Sequence, residues 1–428
     1  MSKLHKYAFS DLYDISSGIS STKEQAGHGA PFVSFSTVFN NYFLPDELSD
    51  LMDTSAVDQE KCSVKKGDIL ITRTSETVDE LAMSCVVLKD YPKATFSGFV
   101  KRLRPKTTGV AYDKYMAFFL RSEYFRKVIN AKTIMTLRAS FNEDIFSFLD
   151  LYLPDYEEQV KIGDFLYNIE KKIQCNKKIN DNLQHQLKLM YDYWFTQFDF
   201  PDENGNPYRS SGGAMVRNEQ FKCNIPQNWI IGTVSDCVEK ISTGLNPRDN
   251  FVLGNGSIRY ITVKNLTTTG SLDFSGCDMI DEEARGIVHR RSDISVGDIL
   301  FASIAPLGRC FLIQQKPSDW DINESVFSIR SKMNMITPEY LYLFLQSDSF
   351  IRKATNTSTG SIFKGIRINT LLDTQMIIPD LQVCKGFTDV IKPLLAEINN
   401  NSNETARLTA LRDWLLPMLM NGQATISD

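Results

Sequence analysis

The chain has little of what builds metal sites, covalent frameworks or membrane spans. Among its 428 residues are only four histidines, at 5, 28, 185 and 289, and eight cysteines, at 62, 85, 175, 223, 237, 277, 310 and 384. No cysteines form a CxxC pair and none clusters with histidine. No metal site is therefore expected, and the thiols read as reduced side chains of a cytoplasmic protein. No apolar run approaches the ~18 residues of a membrane helix. The first 17 residues, MSKLHKYAFSDLYDISS, lack the apolar stretch of a secretory leader. The net charge of −5 excludes a uniformly basic nucleic-acid binder.

Catalytic signatures are missing as well. There is no GxxxxGK[ST] loop to cradle a triphosphate, no GxSxG elbow and no HExxH pair. Two partial traces remain. Asn206-Pro207-Tyr208 resembles part of the (D/N)PP(F/Y) motif of amino-methyltransferases, but the second proline is absent and the surroundings are turn-like. Pro154-Asp155 followed by Glu170-Lys171-Lys172 has the order of a PD…ExK nuclease, whose acids must converge on Mg²⁺. Glu170 falls in a helical pattern instead, and no second copy of the triplet exists. Binding is favoured over catalysis; a standalone nuclease or methylase is the alternative.

What the chain does have is itself, twice. Gly67-Asp68-Ile69-Leu70 recurs as Gly297-Asp298-Ile299-Leu300. The segment YMAFFLRSEYFRK from Tyr115 is echoed by YLYLFLQSDSFIRK from Tyr340, and Leu153-Pro154-Asp155 by Ile378-Pro379-Asp380, both 225 residues on. After each LPD or IPD, apolar residues step by four and three. The first seam holds Ile162, Leu166, Ile169, Ile173, Asn176, Leu183 and Leu187. The second holds Phe387, Ile391, Leu394, Ile398, Asn401, Leu408 and Leu415. Asn176 and Asn401 are one repeat apart. A sustained 3.5-residue period marks a supercoiled helix pair, and an asparagine in its seam fixes register.

The first pattern covers about 40 residues, or ~60 Å of helix. Asp155 and Asp380 are candidate N-caps. The first helix should stop by Phe200-Pro201, and Pro417 should kink or end the second. The expected organisation is a globular half at 1–152, a long helix at 153–200, a linker at 201–213 rich in Pro, Gly, Asn and Ser, a second half at 214–377, and a long helix at 378–428. Short β-rich runs (PFVSFSTVF, DILITR, RYITVKNL, DILFASI) with few helices make the halves mixed α/β, within an α+β fold class.

Two stretches are locally basic. Residues 101–138 hold ten Lys/Arg against Asp113 and Glu123, and residues 351–367 hold Arg352, Lys353, Lys364 and Arg367 without an acid. Either could be a phosphate-facing strip or a solvated helix face.

With the repeat in place, the chain resembles the specificity subunits of type I restriction–modification systems. The resemblance spans nearly the whole length. It rests on PFVSFSTVF-NNYFLP, KKGDILITRTSE and the central run LPDYEEQVKIGDFLYNIEKKIQCNKKINDNLQ…YDYWFTQFDFP, then STGLNPRD, YITVKNL, VGDILFAS, GSIFKGIR and LTALRDWLLPMLMNGQ. Leu381-Gln382-Val383-Cys384 departs from the family's usual EEQ-type helix start. The resemblance implies two similar target-recognition domains joined by an antiparallel coiled coil with pseudo-two-fold symmetry. Each domain would read one half of a bipartite, asymmetric site in double-stranded DNA. The helices would set the spacing and dock two methyltransferase subunits, with restriction/translocase subunits joining them. S-adenosylmethionine, ATP and Mg²⁺ would serve those partners, leaving this chain without cofactor or catalytic residue.

Base readout needs short polar or basic side chains on loops that reach a groove. The candidates are Ser34, Ser36, Arg73, Thr74, Arg138 and Ser140 in the first half. In the second they are Thr243, Gly244, Lys264, Asn265, Ser358, Thr359, Ser361 and Lys364.

Overall fold

The computed structural model describes residues 3–75, 80–132, 139–357 and 365–426. Two compact units form: Met1–Ile173 with Arg407–Asp428, and Gln174–Ala406. Each unit thus combines a globular half with stretches of both long helices.

In the first unit, the four-stranded antiparallel sheet has the order Tyr13–Ser17, Val100–Pro105, Ile69–Thr72, Ser84–Val86. A three-stranded sheet runs Leu51–Met52, Ala26–Val33, Thr95–Phe96, its last pair parallel. His5–Ala8 pairs antiparallel with Asp150–Leu153. The uninterrupted apolar run Ile69–Thr72 is buried throughout, as a strand covered on both faces should be. The helix Asp113–Phe119 buries Tyr115 through Phe119 against the same core.

The second unit repeats this strand for strand. Val238–Thr243, Val326–Ser331, Ile299–Ala302 and Cys310–Leu312 make the four-stranded sheet. Asp278–Ile280, Ile258–Ile261 and Trp320–Ile322 make the three-stranded one, again with one parallel pair. Ile230–Thr233 pairs with Gln375–Ile378. The duplication therefore reaches well beyond the blocks visible in sequence.

The GDIL blocks show why they recur. Gly67 and Gly297 sit at φ +88° and +89°, a conformation glycine adopts without penalty. Each turn drops the next aspartate into the interior. Asp68 accepts from Nε and Nη2 of Arg104, both at 2.7 Å, and from the Lys65 amide. Asp298 accepts from Nε and Nη2 of Arg330 at 2.7 and 2.9 Å, and from the Ser295 amide. A forked guanidinium matches both oxygens of a carboxylate, which lets the acid be buried.

The central helix is Tyr156–Tyr191, and the C-terminal helix is Leu381–Met420. The central helix gives way, short of Phe200-Pro201, to a π-helical turn at Asp192–Thr196. That turn buries Trp194 and Phe195 on Phe387, with ring centroids 5.3 and 4.8 Å away. Asp380 caps the C-terminal helix by accepting from the Gln382 amide at 2.7 Å. Asp155 instead lies 3.0 Å from His5 Nε2, and Gln159 folds back onto the Pro154 carbonyl.

Pro417 does not end the second helix, which runs three residues past it and also through Pro393. An interior proline forfeits its own N–H bond and crowds the carbonyl four residues back, yet the chain after Pro417 is held by bonds from Asn421 to Pro417 and Gln423 to Met418.

Contacts within each unit show the two helices running antiparallel. In the first unit, Glu170 of the central helix meets Arg412 at 2.5 Å. In the second, Asn176 donates to Glu404 at 2.7 Å, and Asn180 to the Ile398 carbonyl at 3.1 Å. Ile162, Leu166, Ile169 and Ile173 are buried in the first unit, with Leu408 and Leu415 half-buried. In the second unit Asn176, Leu187, Phe387, Ile391, Ile398 and Asn401 are buried, and Leu183 and Leu394 half-buried. Leu395 takes the deeper place beside Leu394, because steps of four and then three from Ile391 to Ile398 keep it on the same face.

Candidate nucleic-acid interface

Four arginines of the basic stretch at 101–138 turn inward rather than toward a phosphate-facing surface. Arg102 is buried and donates to the carbonyls of Lys61 and Ser63. Arg104 is held by Asp68. Arg121 donates to four carbonyls, those of Val38, Phe39, Ser84 and Asn41, at 2.6–2.9 Å. Arg126 caps the carbonyls of Leu81, Ala82 and Leu120. Burial lowers the pKa of both Arg102 and Arg121. These cations close loop ends whose carbonyls would otherwise lack donors. Sequence cannot distinguish such inward arginines from surface ones.

The PD…ExK order likewise dissolves. Glu170 lies in a buried ion pair with Arg412, whose guanidinium also covers the Tyr42 ring at 5.0 Å. Tyr208 of the Asn-Pro-Tyr trace stacks on Phe200 and donates to the Ala214 carbonyl. Among the described residues no group of three His, Cys, Asp or Glu could hold a metal ion.

The candidate base-reading residues divide into three sets. Arg138, Ser358, Thr359, Ser361 and Lys364 lie outside the described residues. Four others have structural work. Ser34 caps the helix Phe35–Asn40 through the Thr37 amide. Asn265 is buried, its carbonyl accepting from Thr262 and its amide donating to Asp273. Thr243 is buried and donates to the Gly244 carbonyl. Gly244 packs so closely that a Cβ would overlap the Ile322 carbonyl. Five remain on the surface: Ser36, Arg73 and Lys264 are exposed, and Thr74 and Ser140 half-buried.

Three of these five share one edge. Strand Thr74–Ser75 pairs with Ala139–Ser140, placing Thr74 opposite Ser140. The Arg73 amide donates to the Phe99 carbonyl at 2.8 Å, and the Arg73 carbonyl accepts from Phe141 at 2.7 Å. Phe99 tops a turn in which Val100 N–H donates to Ser97 O and Phe99 N–H to Ser97 Oγ.

The second unit builds the same edge. Ser303 N–H donates to the Ser325 carbonyl at 3.1 Å, and Ile366 N–H to the Ser303 carbonyl at 2.8 Å. Ile304 bridges to Gly365. Val326 N–H donates to Asn323 O and Ser325 N–H to Asn323 Oδ1. The backbone bonds are the same, but the exposed side chains are not. Where the first unit presents Arg73 and Phe99, the second presents an exposed Glu324 and a half-buried Ser325, while Ser303, the counterpart of Arg73, is buried with its hydroxyl donating to the Ser325 carbonyl.

The two units thus share one scaffold and one edge frame while differing in the side chains set there. The model of the type I restriction modification DNA specificity domain matches residues 1–185 and 226–409, and the chain belongs to that family. It is 24% identical over 472 residues to the HindI specificity subunit of Haemophilus influenzae, covering 96% of this chain and 98% of that one. It is 22% identical over 374 residues to the MjaIX specificity subunit of Methanocaldococcus jannaschii, covering 86% and 81%. Its fold is shared with the S subunit of a type I restriction–modification system from M. genitalium, at TM-score 0.57 and 14% identity, over 98% of this chain and 96% of that one.

Proposed function

We propose that this chain is the non-catalytic DNA-specificity subunit of a type I restriction–modification complex. Residues 1–152 and 214–377 act as its two target-recognition domains, each reading one half of a bipartite asymmetric site in double-stranded DNA. The carrying observation is the pair of equivalent edges: the same backbone bonds recur at Arg73/Phe99 and Ser303/Ser325, while the side chains they present differ. A frame kept twice with unlike side chains suits the reading of two unlike sequences.

The helices at 153–200 and 378–428 supply spacing and docking. Exposed apolar residues on them recur one repeat apart: Phe165 with Val390, and Leu189 with Trp414. Single exposed apolar residues are ordinary, but matched pairs offer two similar places to one kind of partner, here two methyltransferase subunits. Restriction/translocase subunits join that assembly. S-adenosylmethionine, ATP and Mg²⁺ belong to the partners, and the complex works in the cytoplasm. No helix among the described residues is long and apolar enough to cross a membrane.

The test is selection. The chain co-purified with its methyltransferase subunit is incubated with randomised duplex DNA, and the bound fraction is sequenced. A split motif with a fixed-length spacer is expected. Recovery of an unbroken motif, or of no motif, overturns the proposal.

A further inference from the structure

The two edges carry the reading one level deeper, to individual bases, and this inference rests on the proposed function. At several matched positions the two halves keep side-chain chemistry together with backbone geometry. Asp68 and Asp298 meet Arg104 and Arg330 through the same fork. Tyr115 and Tyr340 are both buried, and both edge turns are held by the first residue's side chain, Ser97 or Asn323. At the turn tips that agreement breaks. Arg73 stands beside Phe99, which is 61% exposed, whereas the second edge carries an exposed Glu324 one position before Ser325.

Arg73 and Phe99 are hard to explain by stability. Arg73 makes no side-chain hydrogen bond or ion pair with the described residues, unlike Arg102, Arg104, Arg121 and Arg126 nearby. Phe99 leaves most of its ring in water. Its own turn needs only its backbone: Phe99 N–H to Ser97 Oγ at 3.2 Å and Phe99 O from Arg73 N–H. Glu324 lies within reach of the Tyr260 hydroxyl but keeps its carboxylate exposed. A carboxylate on a DNA-facing edge is repelled by phosphate, so it is useful there only against a base that donates.

We infer that Arg73 and Phe99 read the first half-site and Glu324 the second, all from the major groove. Arg73 donates its guanidinium fork to N7 and O6 of a guanine. Phe99 packs on the C5-methyl of a neighbouring thymine. Glu324 accepts from the N4 amine of a cytosine. These are the pairings that donor, acceptor and methyl positions on base edges allow. The first half-site accordingly contains a G beside a T, and the second contains a C.

Three variants in the full chain, assembled with the methyltransferase subunit, test this by the same selection. Arg73→Ala should relax one guanine position by about 10- to 100-fold, and Phe99→Ala an adjacent thymine, with the second half-site unchanged. Glu324→Gln should relax one cytosine in the second half-site only. All three residues are exposed, so thermal midpoints should match the parent. If the parent selects a split motif and the variants select the same one, the inference fails while the proposed function stands. Weaker binding without a change of motif also overturns it, because that is the mark of a phosphate contact. If the parent selects no split motif, the proposed function falls and takes the inference with it.

Discussion

The side-chain amide of Asn401 donates to the carbonyl of Asn180 at 3.0 Å, although the repeat aligns Asn401 with Asn176. Antiparallel helices pair residues whose numbers run in opposite directions, so Asn401 meets Asn180 rather than its own repeat equivalent. Asn176 finds Glu404 instead. The polar patch is also closed by Asn180 donating to Ser402 Oγ at 3.1 Å.

Removing one member should hurt more than removing the seam's polarity altogether. Asn401→Leu leaves the buried Asn180 carbonyl without that donor, at a cost of about 1–3 kcal/mol. Asn180→Leu with Asn401→Leu should recover much of that loss while weakening register. Denaturant midpoints of the three variants check the order; a double variant less stable than the sum of the singles would contradict it.

The buried Glu170–Arg412 pair predicts a second asymmetry. Arg412→Leu deprives a carboxylate that is 5% exposed of its closest partner and should cost about 3–5 kcal/mol. Glu170→Leu with Arg412→Leu should be near neutral. The other half already carries that solution: one repeat from Glu170 stands Leu395, and one repeat from Arg412 stands Leu187, both buried. Thermal unfolding of the single and double variants measures the difference.

Docking should respond to Trp414 and Leu189 separately. Trp414→Asp and Leu189→Asp are each expected to remove one bound methyltransferase copy, and together both. Native mass measurement of the assembled complex counts them. Retention of two copies by the double variant would rule these residues out as docking anchors.

Cysteine chemistry offers a check on the cores. Burial pushes the thiols of Cys85, Cys237 and Cys384 up to about 12, and Cys310 higher still. The thiolate is the reactive form, so these four should resist alkylation in the folded chain even when pH rises from 7 to 9. Exposed Cys175 should react first. Mass mapping after a timed pulse of alkylating reagent reads the order, and early labelling of Cys85 would place the first core elsewhere.

The long helices were legible because their signal is local: a residue and its neighbour four places on lie on one face whatever the rest of the chain does. Leu395 escaped because 391, 394, 395 and 398 fit that face by two equally good paths. Partners far apart in sequence left no such trace. Nothing in residues 63–68 announces Arg104, and nothing near Glu170 announces Arg412. The basic stretch misled for the same reason, since only tertiary structure reveals that Arg121 faces four carbonyls. Arg73, Thr74 and Ser140 are picked out by chemistry alone and the fold brings them to one edge, whereas their neighbour Phe99 is not picked out, because an aromatic residue in a strand-rich stretch reads as core.

The order of synthesis matters for the first unit. Leu416, Leu419 and Met420 belong to the same core as Phe9, Ile162 and Leu166, and 233 residues separate the two parts of that unit. At a ribosomal rate of ~5–20 residues per second, the missing piece arrives about 10–50 s later. Until then the Ile162–Leu166 stripe of the nascent chain has no cover from that helix, an invitation to chaperones or to a neighbouring polysome product. The unit whose synthesis begins first is therefore the one whose last piece is made last.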